Sequence, residues 1–325
     1  MSEYQKHIPV LYEELIGSLR FFEIGTNVIV DCTLGLWGHA SWVVEKLGKW
    51  DIFIGLDCDE DNLKDATQKL LTILENKNPE EQPTVYAIHS NFRNLKEVLE
   101  NIAHYSSINK SKKITKLNEL TCVYADLGVS SIHFDTAERG FSFRFDGPLD
   151  MRLDVKSPVT AKSLLNSLEY DKMAEMFRIY GDEPKAGYLT KKILEARKIH
   201  PIETTKELSD IITKISRDSL PRVFQALRIA VNDEYWALET MLTTAHNLLI
   251  SEWTISIIAF HSGEDRIVKH FFREKSTSEK DPITGQDIGT GTLELRTKKP
   301  ITPTHEEVER NPRARSALLR MVVRK

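Results

Sequence analysis

The residues best equipped for chemistry lie between Val28 and His39, in the run Val-Ile-Val-Asp-Cys-Thr-Leu-Gly-Leu-Trp-Gly-His. A β-branched triplet ends at Asp31, Gly35 and Gly38 mark a turn, and residues 40 to 47 take on helical periodicity. This reads as strand, glycine loop and helix. About twenty residues further on, a second apolar strand from Ile52 to Leu56 ends in Asp57, where nucleoside sites place an acid that accepts hydrogen bonds from ribose hydroxyls. A purely structural turn has the same spacing.

The surrounding elements bring further groups to the same place. Strands at Val28–Asp31, Ile52–Asp57, Thr84–His89 and Thr121–Asp126 alternate with helical patterns at 40–47, 60–75 and 94–104. Such alternation predicts an α/β fold with a parallel sheet and right-handed crossovers, whose ligand binds at the carboxyl ends of the strands. Asp31, Asp57, Ser90-Asn91-Phe92 and Asp126 all fall there. An isolated Asp after a strand is commonly a helix cap, and a single Phe is commonly core. Beside a ribose-binding acid, Phe92 has another use, stacking on a purine. A later β-rich run, Thr254 to Phe260, leads into His261-Ser262-Gly263-Glu264-Asp265-Arg266 on the same rim. Ahead of the first strand, His7 to Leu11 opens an amphipathic helix through Leu15, Leu19 and Phe22, expected to cover a sheet edge.

Between Asp126 and Arg152 the chain is rich in Gly, Ser, acids and Arg but has no helical or strand period, which predicts a long functional loop. From about Thr160 to Leu249, apolar residues recur at spacings of three and four, with Pro184, Pro201 and Pro221 as punctuation. Residues 136 to 230 therefore read as a helical domain inserted into a sheet domain made of 1–135 and 231–325. Residues 273–291 read as a flexible loop, and Thr292–Arg296 and Ala317–Val323 as two last strands.

At 325 residues, 41% hydrophobic and 28% charged, the composition is that of a soluble globular protein. A net charge of -4 rules out nucleic-acid binding by bulk charge, so any RNA contact needs a local basic surface. Residues 296–325 carry nine basic residues against three acids, read as either a solvated tail or such a surface. Cys32, Cys58 and Cys122 form no CxxC pair and read as buried thiols in a reducing cytosol. No apolar run is long enough to cross a bilayer, and the polar N-terminus does not read as a signal peptide, so a cytoplasmic location is expected.

Taken together, His7-Ile-Pro-Val-Leu11, Asp31 to His39, Asp57-Cys-Asp59, Asn91-Phe92, Asp126-Leu-Gly-Val-Ser-Ser131, Glu138-Arg-Gly-Phe-Ser142, Gly147-Pro-Leu-Asp-Met-Arg152, Phe224-Gln-Ala-Leu-Arg228, Phe260-His-Ser262 and Asn311-Pro-Arg-Ala-Arg-Ser316 carry a resemblance. In that order they resemble the ribosomal RNA small subunit methyltransferase H (RsmH or MraW) family over nearly the whole chain. The resemblance implies a class I S-adenosylmethionine-dependent methyltransferase fold, a Rossmann-like sheet with an inserted all-helical domain. It also implies methyl transfer from S-adenosylmethionine to the exocyclic N4 of a cytidine in the decoding region of 16S rRNA. The partner is then the small ribosomal subunit, with no membrane and no metal; a monomer and a homodimer are equally compatible with the sequence.

By the same resemblance, Trp37, Gly38, His39, Asp57, Phe92, Asp126 and His133 match positions that contact S-adenosylmethionine. Gly35 and Gly38 would let backbone amides approach its methionine portion. Asp31 is either a partner for the methionine ammonium or a holder of the loop. For catalysis, Asp126 or a carbonyl in Asp126–Ser131 would accept a hydrogen bond from N4, while Ser130, Ser131, His261 and Ser262 would hold the flipped base. Arg139, Arg152, Arg228, Arg266, Arg313 and Arg315 are candidates for phosphate contacts. The chain departs from the family pattern at Leu36 and Trp37, where small residues are usual, at His133 for glutamine, and at Gly263 for leucine. No cysteine occurs between 275 and 290, which removes the case for a metal there. A ribosome-binding assembly factor that kept the fold but lost turnover through Trp37 is the competing expectation.

Overall fold

A computed structural model of the chain describes residues 9–22, 25–109, 114–280, 284 and 286–325. His7 and Ile8 of the first motif, and Gly285 of the expected flexible loop, lie outside these residues. The chain divides into two compact units, Met1–Gly128 with Trp236–Lys325, and Val129–Tyr235.

In the first unit, seven strands form one sheet. In chain order these are β1 (Val28–Asp31), β2 (Ile52–Asp57), β3 (Thr84–His89), β4 (Leu120–Asp126), β5 (Leu249–Ala259), β6 (Leu293–Leu295) and β7 (Leu318–Arg324). They lie in the order β3-β2-β1-β4-β5-β7-β6. The first five are mutually parallel, and β7 runs antiparallel to both β5 and β6. The order turns back at β1 and β4, the point at which doubly wound sheets open a crevice for a ligand. This is the class I methyltransferase sheet that the motifs predict.

Why these runs become central strands is plain from their burial. Every residue of β1 and β2 is buried, as expected where helices cover both faces of a parallel sheet. Alternate side chains feed two apolar clusters. Val28, Val30, Ile54, Leu56, Val123 and Ala125 meet α4 (Leu95–Glu100), α11 (Glu234–Leu248) and α12 (Ser262–Ser276) on one face. Ile29, Phe53, Cys122 and Tyr124 meet α1 (Tyr12–Ser18), α2 (Gly38–Lys46) and α3 (Glu60–Glu75) on the other. At about 1.5–3 kcal/mol per large apolar side chain, these layers hold the rim in place.

Two local expectations are corrected. The N-terminal helix stops at Ser18, and Ser18 Oγ lies 2.7 Å from Ser256 Oγ on β5, an interior strand, so α1 covers a sheet face and not an edge. Phe22 falls beyond the helix and packs edge-on against Trp253. The expected helix over 94–104 is broken into 3₁₀ turns at Phe92–Asn94 and Ile102–His104 around the short α4.

The second unit is helical: α6 (Ala161–Ser167), α7 (Tyr170–Gly181), α8 (Ala186–Arg197), α9 (Thr205–Thr213) and α10 (Ser219–Asn232) enclose Leu165, Phe177, Leu189, Leu208, Val223 and Leu227. A side chain at Gly181 would press on the Arg222 carbonyl, so a glycine lets α7 and α10 approach closely. The segment from Asp126 to Arg152, expected to be irregular throughout, contains α5 (Ser131–Asp135) and a 3₁₀ turn, Ala137–Arg139.

Candidate active site

Pairing register puts the acids side by side at the carboxyl rim. Asp31 is level with Gly55 and Tyr124, Asp57 with His89, and Asp126 with Ile258. The glycine loop is stitched to this rim: Cys32 N donates to Tyr124 O, Leu34 N to Leu56 O, and Gly35 N to Asp57 Oδ2 at 2.8 Å.

Asp57 also accepts from Asp59 N through Oδ1 at 2.8 Å, and Asp59 in turn caps α3 by accepting from Asp61 N and Asn62 N. The carboxylate is therefore aimed by a helix start on one side and by the loop on the other. A carboxylate so aimed can accept from ribose hydroxyls as well as from the backbone.

Asp31 shows the loop-holding contact of the two roles open to it, Oδ1 accepting from Thr33 N at 2.9 Å. It is 2% exposed, and burial, reinforced by the charge of Asp57, pushes its carboxyl up to about 7. Asp126 donates its backbone N–H to Thr33 Oγ1 at 2.7 Å, while its Oδ1 is covered and has no hydrogen-bond partner among the described residues. Burial, with Asp31 and Glu264 nearby, raises its carboxyl well above the usual range. Its Oδ2 lies 3.8 Å from His39 Nδ1. His39 Nε2 is 3.1 Å from the Val10 carbonyl, an acceptor only, so this nitrogen carries the hydrogen and Nδ1 faces Asp126.

Gly35 and Trp37 both have positive φ, 50° and 64°. The left-handed conformation costs a side-chain-bearing residue about 1–2 kcal/mol, so Trp37 occupies a position suited to glycine. Its indole is half-buried against the cluster of Val10, Leu11 and Leu34. Trp37 precedes α2 and its side chain does not cap it. Gly38 is needed for a reason the sequence did not reveal: a Cβ there would overlap Pro9 Cγ.

Phe92 opens its 3₁₀ turn, with Asn91 Oδ1 accepting from Arg93 N, and packs half-buried on the cluster beneath. His261 makes local contacts at the start of α12. Its Nδ1 accepts from Glu264 N, and its Nε2 lies 3.2 Å from Glu264 Oε1, so its ring serves the helix cap. Glu264 Oε2 accepts from Phe260 N at 2.8 Å. Ser262 is exposed as the first residue of α12. Thr33 and Glu264 were given no role from sequence, although both sit inside the motifs Asp31-Cys-Thr and His261-Ser-Gly-Glu.

In the helical unit, His133 is buried and forms a capping box with Ser130: His133 Nδ1 lies 3.0 Å from Ser130 Oγ and accepts from Ser130 N. Its ring packs 5.1 Å from that of Phe141. Ser131 begins α5, and its side chain lies outside what the structure describes.

The six arginines separate into two groups. Arg139 donates to the carbonyls of Arg152 and Leu153. Arg152 grips Asp150 through two bonds and donates to the carbonyls of Val155 and Ser157. Arg228 grips Glu234 at 2.9 and 2.8 Å. These three are engaged in local structure. Arg266, Arg313 and Arg315 are exposed.

S-adenosylmethionine, the cofactor expected from the motifs, fits this rim. Asp31 and Asp126 are held toward their neutral forms by burial and by the neighbouring carboxyls of Asp57 and Glu264, a penalty on ionisation that a sulfonium or ammonium alongside would offset. The start of α2, which the Trp37 side chain does not cap, suits a carboxylate, Asp57 suits a ribose, and the Phe92 ring suits a purine.

The MraW methylase family model matches residues 4–325. A ribosomal RNA small subunit methyltransferase H from Clostridioides difficile (strain 630) is 38% identical, the match covering 97% of this chain and 97% of the relative. Those from Paenibacillus sp. (strain JDR-2) and Clostridium botulinum (strain Loch Maree / Type A3) are 38% and 37% identical over 97% of this chain, each covered to 98%. An rRNA methylase structure from Streptococcus thermophilus aligns over 96% of this chain and 93% of its own at a TM-score of 0.39 and 9% identity, too loose to bear on the site.

Proposed function

This chain belongs to the MraW methylase family, and on that premise we propose that it methylates the exocyclic N4 of a cytidine in the decoding region of 16S rRNA. S-adenosylmethionine, when bound, supplies an electrophilic methyl group on a sulfonium.

Asp126 carries the reading. Its covered Oδ1 has no hydrogen-bond partner among the described residues, and its carboxyl is raised by burial and by Asp31 and Glu264. Cytosine N4 is a poor nucleophile because its lone pair is delocalised into the ring. An acceptor that takes one N4 hydrogen aligns that lone pair, and a carboxylate of raised pKa is a stronger base for the proton released on transfer. His39 Nδ1 lies 3.8 Å from Asp126 Oδ2. Asp57 and Phe92 position the nucleoside end of the donor, and the glycine loop excludes water from the methionine end. The helical unit, Val129–Tyr235, serves as the substrate-recognition module. No helix among the described residues is long and apolar enough to cross a membrane, in keeping with a cytoplasmic enzyme that meets ribosomal subunits.

The test is incubation with small subunits lacking the modification and isotopically labelled S-adenosylmethionine, followed by mapping of the labelled nucleoside. Label on N4 of a decoding-region cytidine, lost in Asp126→Asn at cofactor concentrations that saturate the variant, is the expected result. Label on another atom or another RNA would overturn the assignment. Subunit binding with no transfer would point to an assembly factor instead.

A further inference from the structure

Trp236 is the third residue of α11 and is 52% exposed, unusual for an indole in a folded chain. The Arg93 guanidinium lies over its ring, 5.3 Å from the centroid. Arg93 follows Phe92 directly, and Phe92 packs on the same apolar cluster as Leu238 and Met241 of α11. Because α11 leads into the amino end of β5, its first turn points toward the carboxyl rim, where the acids lie. The pair therefore stands at the lip of the candidate site, within the sheet unit.

We propose that Arg93 and Trp236 form a landing platform for single-stranded RNA beside the target cytidine, an unpaired base stacking on the indole and the guanidinium drawing in its phosphate. This rests on the RNA-methylating function proposed above. One indole face is already covered by a delocalised cation, which leaves a flat outer face that any base can use. The guanidinium adds the positive charge that a net acidic chain needs at the point of contact. A lone exposed aromatic would not distinguish RNA from a protein partner, whereas a stacked cation matches the phosphate that accompanies each base.

The chain contains its own control. Trp50 is 62% exposed with Lys49 Nζ 5.4 Å from its ring centroid, yet it precedes β2 and so sits at the opposite, amino end of the sheet. Trp236→Ala, Trp236→Phe and Trp50→Ala would be compared in the full chain, using small subunits lacking the modification. Subunit affinity would be read by filter binding, turnover by methyl transfer, and cofactor affinity by calorimetry. Trp236→Ala should weaken subunit binding and raise its KM by about tenfold, with kcat and cofactor affinity unchanged. Trp236→Phe should recover most of the loss, and Trp50→Ala should match wild type.

Unchanged subunit affinity in Trp236→Ala would overturn the platform. So would an equal loss of cofactor affinity, which would make the pair part of the cofactor pocket, or a shift only in self-association, which would make it an interface between copies. Filter binding does not depend on turnover, so an absence of methyl transfer by the wild type would refute the proposed reaction and leave the platform to be judged on affinity.

Discussion

Asp57 Oδ2 accepts the backbone N–H of Gly35 at 2.8 Å, joining the end of the second strand to the loop that follows the first. One carboxylate thus shapes the loop while facing the place assigned to ribose. Hydrogen bonds to a charged group contribute about 1.5–3 kcal/mol each. Asp57→Ala should therefore weaken S-adenosylmethionine binding on the order of a hundredfold by calorimetry and lower Tm as well. Cofactor affinity equal to wild type would remove Asp57 from the site.

The same loop is squeezed from outside by Pro9. Gly38→Ala places a methyl against Pro9 Cγ, an overpacking that costs about 1–3 kcal/mol. The expected signature is a lower Tm that Gly38→Ala combined with Pro9→Ala partly restores. Simple additivity of the two losses would show that they do not press on each other.

How much of this was readable beforehand depended on whether the cause was local. β1, β2, β3 and α3 fall at the residues that alternation and periodicity predict, because apolar runs bounded by Asp and Gly report burial directly. The rim acids were legible for the same reason: each ends a strand. What periodicity could not show was partnership across the chain. That Gly38 answers to Pro9, or that Glu264 holds His261, requires residues brought together by the fold. Arginine was the least legible type, because composition cannot distinguish Arg228 clasping Glu234 from Arg315 facing solvent.

Asp31 links the site to pH. Its carboxyl titrates near 3.8 when unfolded and is pushed up to about 7 by burial in the fold. Between those values the folded state binds more protons than the unfolded state, so this group's contribution to stability falls as pH rises and is lost above about 7. The cofactor-free chain should lose Tm from pH 5 to pH 8, and Asp31→Asn should flatten that slope. Buried His246, whose pKa is lowered, acts in the opposite sense, so the quantity to read is the difference between wild type and variant. A cationic ligand favours the ionised acid, so cofactor binding near pH 6 should release protons, seen as calorimetric enthalpies that vary with buffer. Equal slopes for wild type and Asp31→Asn would place the titration elsewhere.

Two arginines separate holding the fold from holding RNA. Arg228 and Glu234 are only 12% and 13% exposed and share two hydrogen bonds. Removing the cation strands a largely buried carboxylate, at a cost on the order of 3 kcal/mol. Arg228→Ala should thus lower Tm clearly while leaving the salt dependence of subunit binding unchanged. Arg315 lies exposed in the 3₁₀ turn Pro312–Ser316, within the basic C-terminal stretch. If it meets a phosphate, Arg315→Ala should leave Tm alone and reduce the slope of log affinity against log salt by about 0.7–0.9, the share of one released counterion. The reverse pattern, with Arg228 governing the salt slope and Arg315 the stability, would invert both assignments.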